Sequence, residues 1–161
     1  MALERALPIY STAIAPEWID YNGHLRDAYY GLVLSYASDA LMDHLGLDAA
    51  YRKATATTLY TLEQHLHFLH EVMQSDRLEV RVRLLAADAK RLHAAFDFYC
   101  ARYADPVAIG EVILLHVRQG AVPAAAPFPE SIARAVAALL AASAGIEAPG
   151  PPSRRLELKA R

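Results

Sequence analysis

The stretch from Ala28 to Leu45 limits the fold more than any other part of the chain. Val33, Leu34, Ala37, Leu41 and Leu45 recur there at helical spacing, while Tyr29, Leu32, Tyr36 and Met42 widen the apolar arc almost all round. A helix of that kind has to be wrapped by other structure. Asp27 stands where its start needs a cap, and Gly46 where its end needs a left-handed residue. Ahead of it, residues 7 to 15 are β-leaning and closed by Pro16, the character of an edge strand. Behind it come three or four runs of strand character, 58 to 70, 77 to 86, 92 to 103 and 107 to 118, punctuated by Asp88-Ala-Lys90 and Tyr103-Ala-Asp105-Pro106. In the second run Leu78, Val80, Val82 and Leu84 alternate with Arg77, Glu79, Arg81 and Arg83, which predicts an antiparallel strand buried on one face. An Ala-rich helix is expected over 130 to 145, interrupted by Arg134 and too short to span a bilayer. The order predicts an α+β fold in which a curved antiparallel sheet wraps a long central helix.

The 161 residues suit one domain, read as 1 to 148, with a flexible basic tail over 149 to 161. Cys100 has no cysteine partner, which excludes a disulfide framework and fits the cytoplasm. Lys plus Arg (16) nearly balance Asp plus Glu (18), so no global field marks a nucleic-acid partner, and no apolar run reads as a signal peptide or membrane span. The 55% apolar share favours an oligomer. A Gly-rich phosphate loop, a CxxC pair and a GxSxG elbow are all missing, which argues against nucleotide hydrolase, redox and serine-esterase readings.

The strongest candidate for chemistry is Asp20, in a loop just ahead of the helix start, where Gly23 lets the backbone turn tightly. The helix's first turn offers unpaired N–H groups and partial positive charge, able to stabilise a carbonyl oxygen as it becomes an oxyanion. Asp20 could attack the carbonyl or take a proton from water, and the sequence does not choose between the two. The plainer reading is that Asp20 caps a turn. Glu63, His65 and His67 alternate along one strand face at a spacing a metal could use, but the reading adopted is no metal, with the stripe facing solvent, a subunit contact or a partner's site. Tyr60, Leu62, Leu66 and Phe68 then face the helix, unless a bulge intervenes. Lys90 and Arg91 are the preferred phosphate contacts, with Arg26 and the tail's Arg154, Arg155, Lys159 and Arg161 as other local cations.

The run Asp20-x-x-Gly23-His24-Leu25-x-Asp27-x-x-Tyr30 resembles the signature loop and helix entry of hotdog thioesterases of the 4-hydroxybenzoyl-coenzyme A type. That resemblance, extending over residues 10 to 120 through element order, implies a hotdog fold, an acyl-coenzyme A substrate and no cofactor. It also implies a homodimer or dimer of dimers with sites between subunits. It makes Asp20 catalytic, with Asn22, Gly23, His24 and Asp27 around it. The family more usually has Asn at the position of Asp27, so what carries over there is a helix cap and a backbone N–H. Longer stretches, Trp18 to Tyr30, Ser35 to Asp43, Thr61 to Val72 and Lys90-Arg-Leu-His, are similar to the bacterial betainyl-coenzyme A thioesterases of carnitine breakdown. That acyl group ends in a trimethylammonium, best held by aromatic faces with a carboxylate nearby. Trp18, Tyr21, Tyr29, Tyr30 and Tyr36, with Asp39 and Asp43, are placed for it, and the expected substrate-binding set is Trp18, Tyr21, Tyr30, Tyr36, Glu63, Lys90 and Arg91. The alternatives are a thioesterase for another short-chain or aromatic acyl-coenzyme A, and a non-catalytic acyl-coenzyme A binding module.

Overall fold

A computed structural model of the chain describes residues 6 to 150. Strand β1 (Leu7–Ala13) leads through a 3-10 turn at Pro16–Trp18 to helix α1 (Asp27–Leu45) and a short helix α2 (Ala49–Thr55). Strands β2 (Thr57–Phe68), β3 (Arg77–Ala87), β4 (Arg91–Tyr99) and β5 (Ala108–Arg118) follow, then β6 (Ala124–Ala125) and helix α3 (Glu130–Ser143). The strands form one antiparallel sheet in the order β1-β3-β4-β5-β2, with β6 added to the end of β5. A curved antiparallel sheet holding a long helix is the hotdog arrangement expected, and β1, with Pro8, lies at an edge.

Side chains alternate across each strand, so pairing settles which residues share a face. Leu78, Val80 and Val82 of β3, Leu92, Ala94, Phe96 and Phe98 of β4, and Ala108, Val112 and Leu114 of β5 are buried on the face that receives Val33, Leu34, Ala37 and Leu41 of α1. Gly110 permits the closest approach. A Cβ there would stand 2.9 Å from a methyl of Leu34, so the Leu34 side chain rests directly on the backbone of β5. Helix α3 packs against β3 through Ile132, Val136 and Leu139, and Ser143 Oγ accepts the Leu84 N–H at 3.0 Å where a bulge leaves it free of the ladder.

Four expectations are corrected. The long helix is not enclosed on every side: Ser35, Tyr36, Asp39, Asp43 and His44 are exposed, because one sheet and α3 cover only part of its circumference. Asp27 is the first helical residue rather than the cap; Arg26 precedes it in extended conformation, and Asp27 Oδ1 accepts the Ala28 N–H at 2.8 Å. A bulge in β2 between Thr61 and Glu63 takes up Leu62 and reverses the parity on its N-terminal side. Tyr60, paired with Leu115, therefore shares the outer face with Glu63, His65 and His67, while Leu66 and Phe68 face α1 as expected. Arg83, expected on a solvated face, is 4% exposed; its guanidinium donates to both oxygens of Asp97 at 2.8 and 2.9 Å beneath the segment Ile146 to Pro149. Gly46 ends α1 with φ +89°, as expected. Helix α2, capped by Asp48, and the short β6 were not anticipated. No helix among the described residues is long and apolar enough to cross a membrane. Pro149 and Gly150 still lie against the sheet, and the remainder of the tail, with Arg154, Arg155, Lys159 and Arg161, lies outside the described residues.

Candidate active site

The loop between Ile19 and Leu25 closes on itself and on the connection between β2 and β3. Ile19 bridges to Leu25, and His24 to Met73. The Asp20 N–H donates to the His24 carbonyl at 2.9 Å, and the Gly23 N–H to the Asp20 carbonyl at 3.0 Å. Gly23 has φ +81° with open space where a Cβ would be, so glycine is required here by backbone conformation alone. Asp at the start of such a turn and Gly at its end are the preferred residues. The Leu25 N–H then reaches the Val72 carbonyl at 2.7 Å, and the Arg26 N–H the Trp18 carbonyl at 2.9 Å, delivering the chain to the start of α1.

The two oxygens of Asp20 have different surroundings. Oδ1 accepts the N–H groups of Asn22 at 2.8 Å and His24 at 3.2 Å, the turn-capping role. Oδ2 takes no hydrogen bond among the described residues, and Asp20 lines a cavity of about 510 Å³ with Tyr21, His24, Asp27, Tyr30, Phe68 and Glu71. Desolvation pushes the Asp20 carboxyl up, but the His24 and Asn22 N–H groups, with the charges of His24 and Arg26, outweigh it and hold the group below the ordinary aspartate value. Asp20 is thus a carboxylate at neutral pH. At the start of α1, the Tyr29 N–H is taken by the Arg26 carbonyl and that of Ala28 by Asp27 Oδ1. The Asp27 N–H is left unpaired among the described residues, at the positive end of the helix dipole. Asp20 and Asp27 both line the cavity, and a carboxylate near a free amide is what acyl transfer asks for: one group to attack or deprotonate, one to receive the oxyanion.

The expected residues do not all converge. Asp20, Tyr21, His24, Asp27 and Tyr30 line the cavity; Asn22 and Gly23 shape its loop without lining it. Tyr30 is buried, its ring edge-on to Phe68 at 5.1 Å, and burial pushes its phenol well above the ordinary value. Trp18 stacks on Tyr29 at 5.4 Å, bracing the loop against the helix, whereas Tyr36 sits with Tyr10 farther along α1. Glu63 is on the outer face of the sheet, bonded to His65 beside the His93–Glu111 pair. No cluster among the described residues has the makings of a metal site. Arg91 is engaged by Asp88 in the β3–β4 turn, with Lys90 next to it. Pairing runs Phe98 to Ala108 and Arg91 to Leu115, so this turn lies at the far end of β4, about 23 Å from the Phe68 end.

Sequence reasoning missed Phe68, Leu69, His70 and Glu71 as cavity residues. Phe68 to His70 read as the tail of a strand and Glu71 as the residue after it, and only the pairing of His24 with Met73 and of Leu25 with Val72 brings them beside Asp20.

The model of the Thioesterase-like superfamily matches residues 14 to 136. A betainyl-CoA thioesterase of Pseudomonas aeruginosa is 47% identical over 147 residues, 91% of this chain and 92% of that protein. An L-carnitine dehydrogenase/betainyl-CoA thioesterase of Agrobacterium fabrum is 43% identical over 114 residues; the match takes in 69% of this chain and 22% of that longer protein. Among solved structures, a thioesterase candidate from Pseudomonas putida KT2440 superposes with a TM-score of 0.84 at 39% identity, covering 96% of this chain and 98% of the other. The Staphylococcus aureus protein SAV2348, solved in complex with CoA, superposes with a TM-score of 0.86 at 25% identity, covering 96% and 97%.

Proposed function

This chain belongs to the thioesterase-like superfamily, and from that membership we infer that it hydrolyses betainyl-CoA to glycine betaine and free CoA, with Asp20 as the catalytic carboxylate. The observation that carries the reading is the setting of Asp20, ionised, with Oδ2 unspent among the described residues, in one cavity with Asp27, whose N–H is unpaired among them. The thioester carbonyl lies against that N–H at the start of α1, and the negative charge that develops on its oxygen is stabilised there. Asp20 either adds to the carbonyl carbon, expelling the CoA thiolate and leaving a mixed anhydride for water to open, or takes a proton from an attacking water. Either route consumes one water and ends with a carboxylate and a thiol. Gly23 and the main chain of Asn22 hold the loop shape, and His24 lines the cavity beside Asp20.

The working unit is a homodimer, or a pair of dimers, acting in the cytoplasm, where the lone Cys100 stays reduced. Support comes from β2. It is 12 residues long, lies at the sheet edge with one side unpaired among the described residues, and carries Tyr60 and Leu62 exposed, the kind of edge that pairs with another chain. Antiparallel pairing of two β2 strands reverses one sheet against the other, so Lys90 and Arg91 of the second copy approach the Asp20 end of the first. That arrangement lets the two residues meet CoA phosphates across subunits while lying far from Asp20 in their own chain.

The test is release of free thiol from a panel of acyl-CoA esters. Betainyl-CoA is turned over faster than acetyl-CoA or benzoyl-CoA; equal or slower turnover removes the betainyl assignment, and tight binding without thiol release removes the enzyme. Sedimentation of the active species at the mass of one chain removes the dimer.

A further inference from the structure

The acyl group proposed above is short, and its dimensions limit where its charge can go. Its N–C–C skeleton matches that of a peptide N–Cα–C unit, so the quaternary nitrogen lies about 2.5 Å from the carbonyl carbon. Any group that recognises the cation must therefore lie in the same cavity as Asp20, a few ångströms from the reacting carbon. Tyr36 fails that requirement, since six residues of helix separate it from Tyr30, about 9 Å of rise, and its ring packs on Tyr10. Asp39 and Asp43 lie farther still. Trp18 is committed to Tyr29.

Glu71 meets the requirement. It lines the Asp20 cavity, next to the bridge that joins His24 to Met73. The carboxylates of Asp20 and Asp27 each spend an oxygen on loop and helix N–H groups, whereas Glu71 forms no ion pair with a lysine or arginine among the described residues. Tyr103, whose hydroxyl lies near Glu71, is stacked on His70 at 4.4 Å. Its own backbone N–H and, against some desolvation, that hydroxyl keep Glu71 ionised, below the ordinary glutamate value. On the same cavity wall, Phe68 leaves 48% of its surface exposed, backed by the edge contact with Tyr30. A trimethylammonium donates no hydrogen bond; an apolar aromatic surface beside a fixed carboxylate is the environment that suits it.

Resting on the betainyl reading, we propose that Glu71, flanked by Phe68, is the specificity residue that recognises the quaternary ammonium of the acyl group. An exposed carboxylate on a neutral-substrate cavity would be desolvated for nothing by acyl binding. With a cationic acyl group it is compensated in the ground state and in the transition state alike, so the contact acts mainly on KM.

The experiment compares betainyl-CoA with 3,3-dimethylbutyryl-CoA, which has the same shape with carbon in place of the charged nitrogen. In the unaltered protein the ratio of kcat/KM values favours the cationic ester. Glu71→Gln lowers that ratio about 10- to 100-fold, chiefly through KM for betainyl-CoA. Glu71→Asp, which keeps the charge, retains more of the preference than Gln. A ratio unmoved in Glu71→Gln, whether both esters are slowed alike or neither is, overturns the role of Glu71. A ratio near one in the unaltered protein overturns the betainyl reading itself, so the two failures are told apart by which protein shows them.

Discussion

The backbone N–H of Leu25 donates to the carbonyl of Val72 at 2.7 Å, and both side chains are buried, so the Asp20 loop and the β2–β3 connection form one rigid unit. This single pairing explains why the candidate acid-base group and the candidate cation-binding group share a wall although they stand far apart in sequence. It also separates the fold of the loop from its proposed chemistry, since the main chain and Asp20 Oδ1 hold the turn while Oδ2 takes no hydrogen bond among the described residues.

Asp20→Asn tests that separation. The amide oxygen of Asn accepts the same two N–H groups, so the turn and the melting temperature are retained, while the charge and basicity are lost. Turnover of the acyl-CoA substrate falls by about 10²- to 10⁴-fold. A variant that folds, binds substrate and keeps most of its kcat would remove Asp20 from the mechanism.

The pH profile follows from the direction of the Asp20 shift. Its carboxyl is held below the ordinary value of 3.8 by two N–H donors, so the charged, active form survives as pH falls and is lost only as pH drops through that depressed value. The acid limb of kcat/KM, which reports the free enzyme, therefore lies below pH 3.8 wherever the protein stays folded. A limb near pH 6 assignable to a carboxylate would contradict the hydrogen bonding seen at Oδ1.

Element order was legible because the periodicities are strong: a 3.6-residue pattern over 28 to 45 and a two-residue pattern over 77 to 86 each leave one reading. What escaped depended on contacts distant in the chain. The bulge at Leu62 reverses the facing of Tyr60, and nothing local in Tyr60-Thr-Leu-Glu announces it. Alternation placed Arg83 outward, correctly, but could not reveal that Ile146 to Pro149 would cover it. Asp20 was singled out because its loop abuts a helix start and its run resembles a family signature, both local signals. Glu71 was not, because its membership of the cavity is conferred by a tertiary bridge. The aromatic cluster was found as residue types but not sorted, since a rotation of 100° per residue sends Tyr30 inward and Tyr36 to the surface.

The buried pair Arg83–Asp97 yields a stability prediction whose sign depends on how it is broken. The side chains are 5% and 1% exposed and joined by two hydrogen bonds. Asp97→Ala strands a guanidinium under the covering segment and costs about 3–5 kcal/mol. Arg83→Met with Asp97→Leu removes both charges and recovers most of that loss. Urea unfolding of the three proteins decides it: a single variant within 1 kcal/mol of the parent, or a double variant worse than the single, contradicts an uncompensated buried charge as the cause.

Gly110→Ala probes the seat of the central helix. The added methyl would stand 2.9 and 3.0 Å from the two methyls of Leu34, a side chain with no exposed surface, so neither atom has free space to retreat into. Overpacking of this kind costs about 1–3 kcal/mol, outweighing the small gain in strand propensity. Leu34→Ala alone leaves a cavity and costs about 2–5 kcal/mol. Together the two changes exchange a clash for a filled void, so the double variant is less destabilised than the sum by at least 0.5 kcal/mol in a double-mutant cycle. Additivity would mean that α1 slides instead of clashing. Turnover tells the two apart independently, because α1 carries Asp27 and Tyr30 at its first turn. A helix displaced from β5 moves the N–H proposed to bind the oxyanion relative to Asp20 and lowers kcat in Gly110→Ala, and restoring the fit with Leu34→Ala returns kcat along with stability.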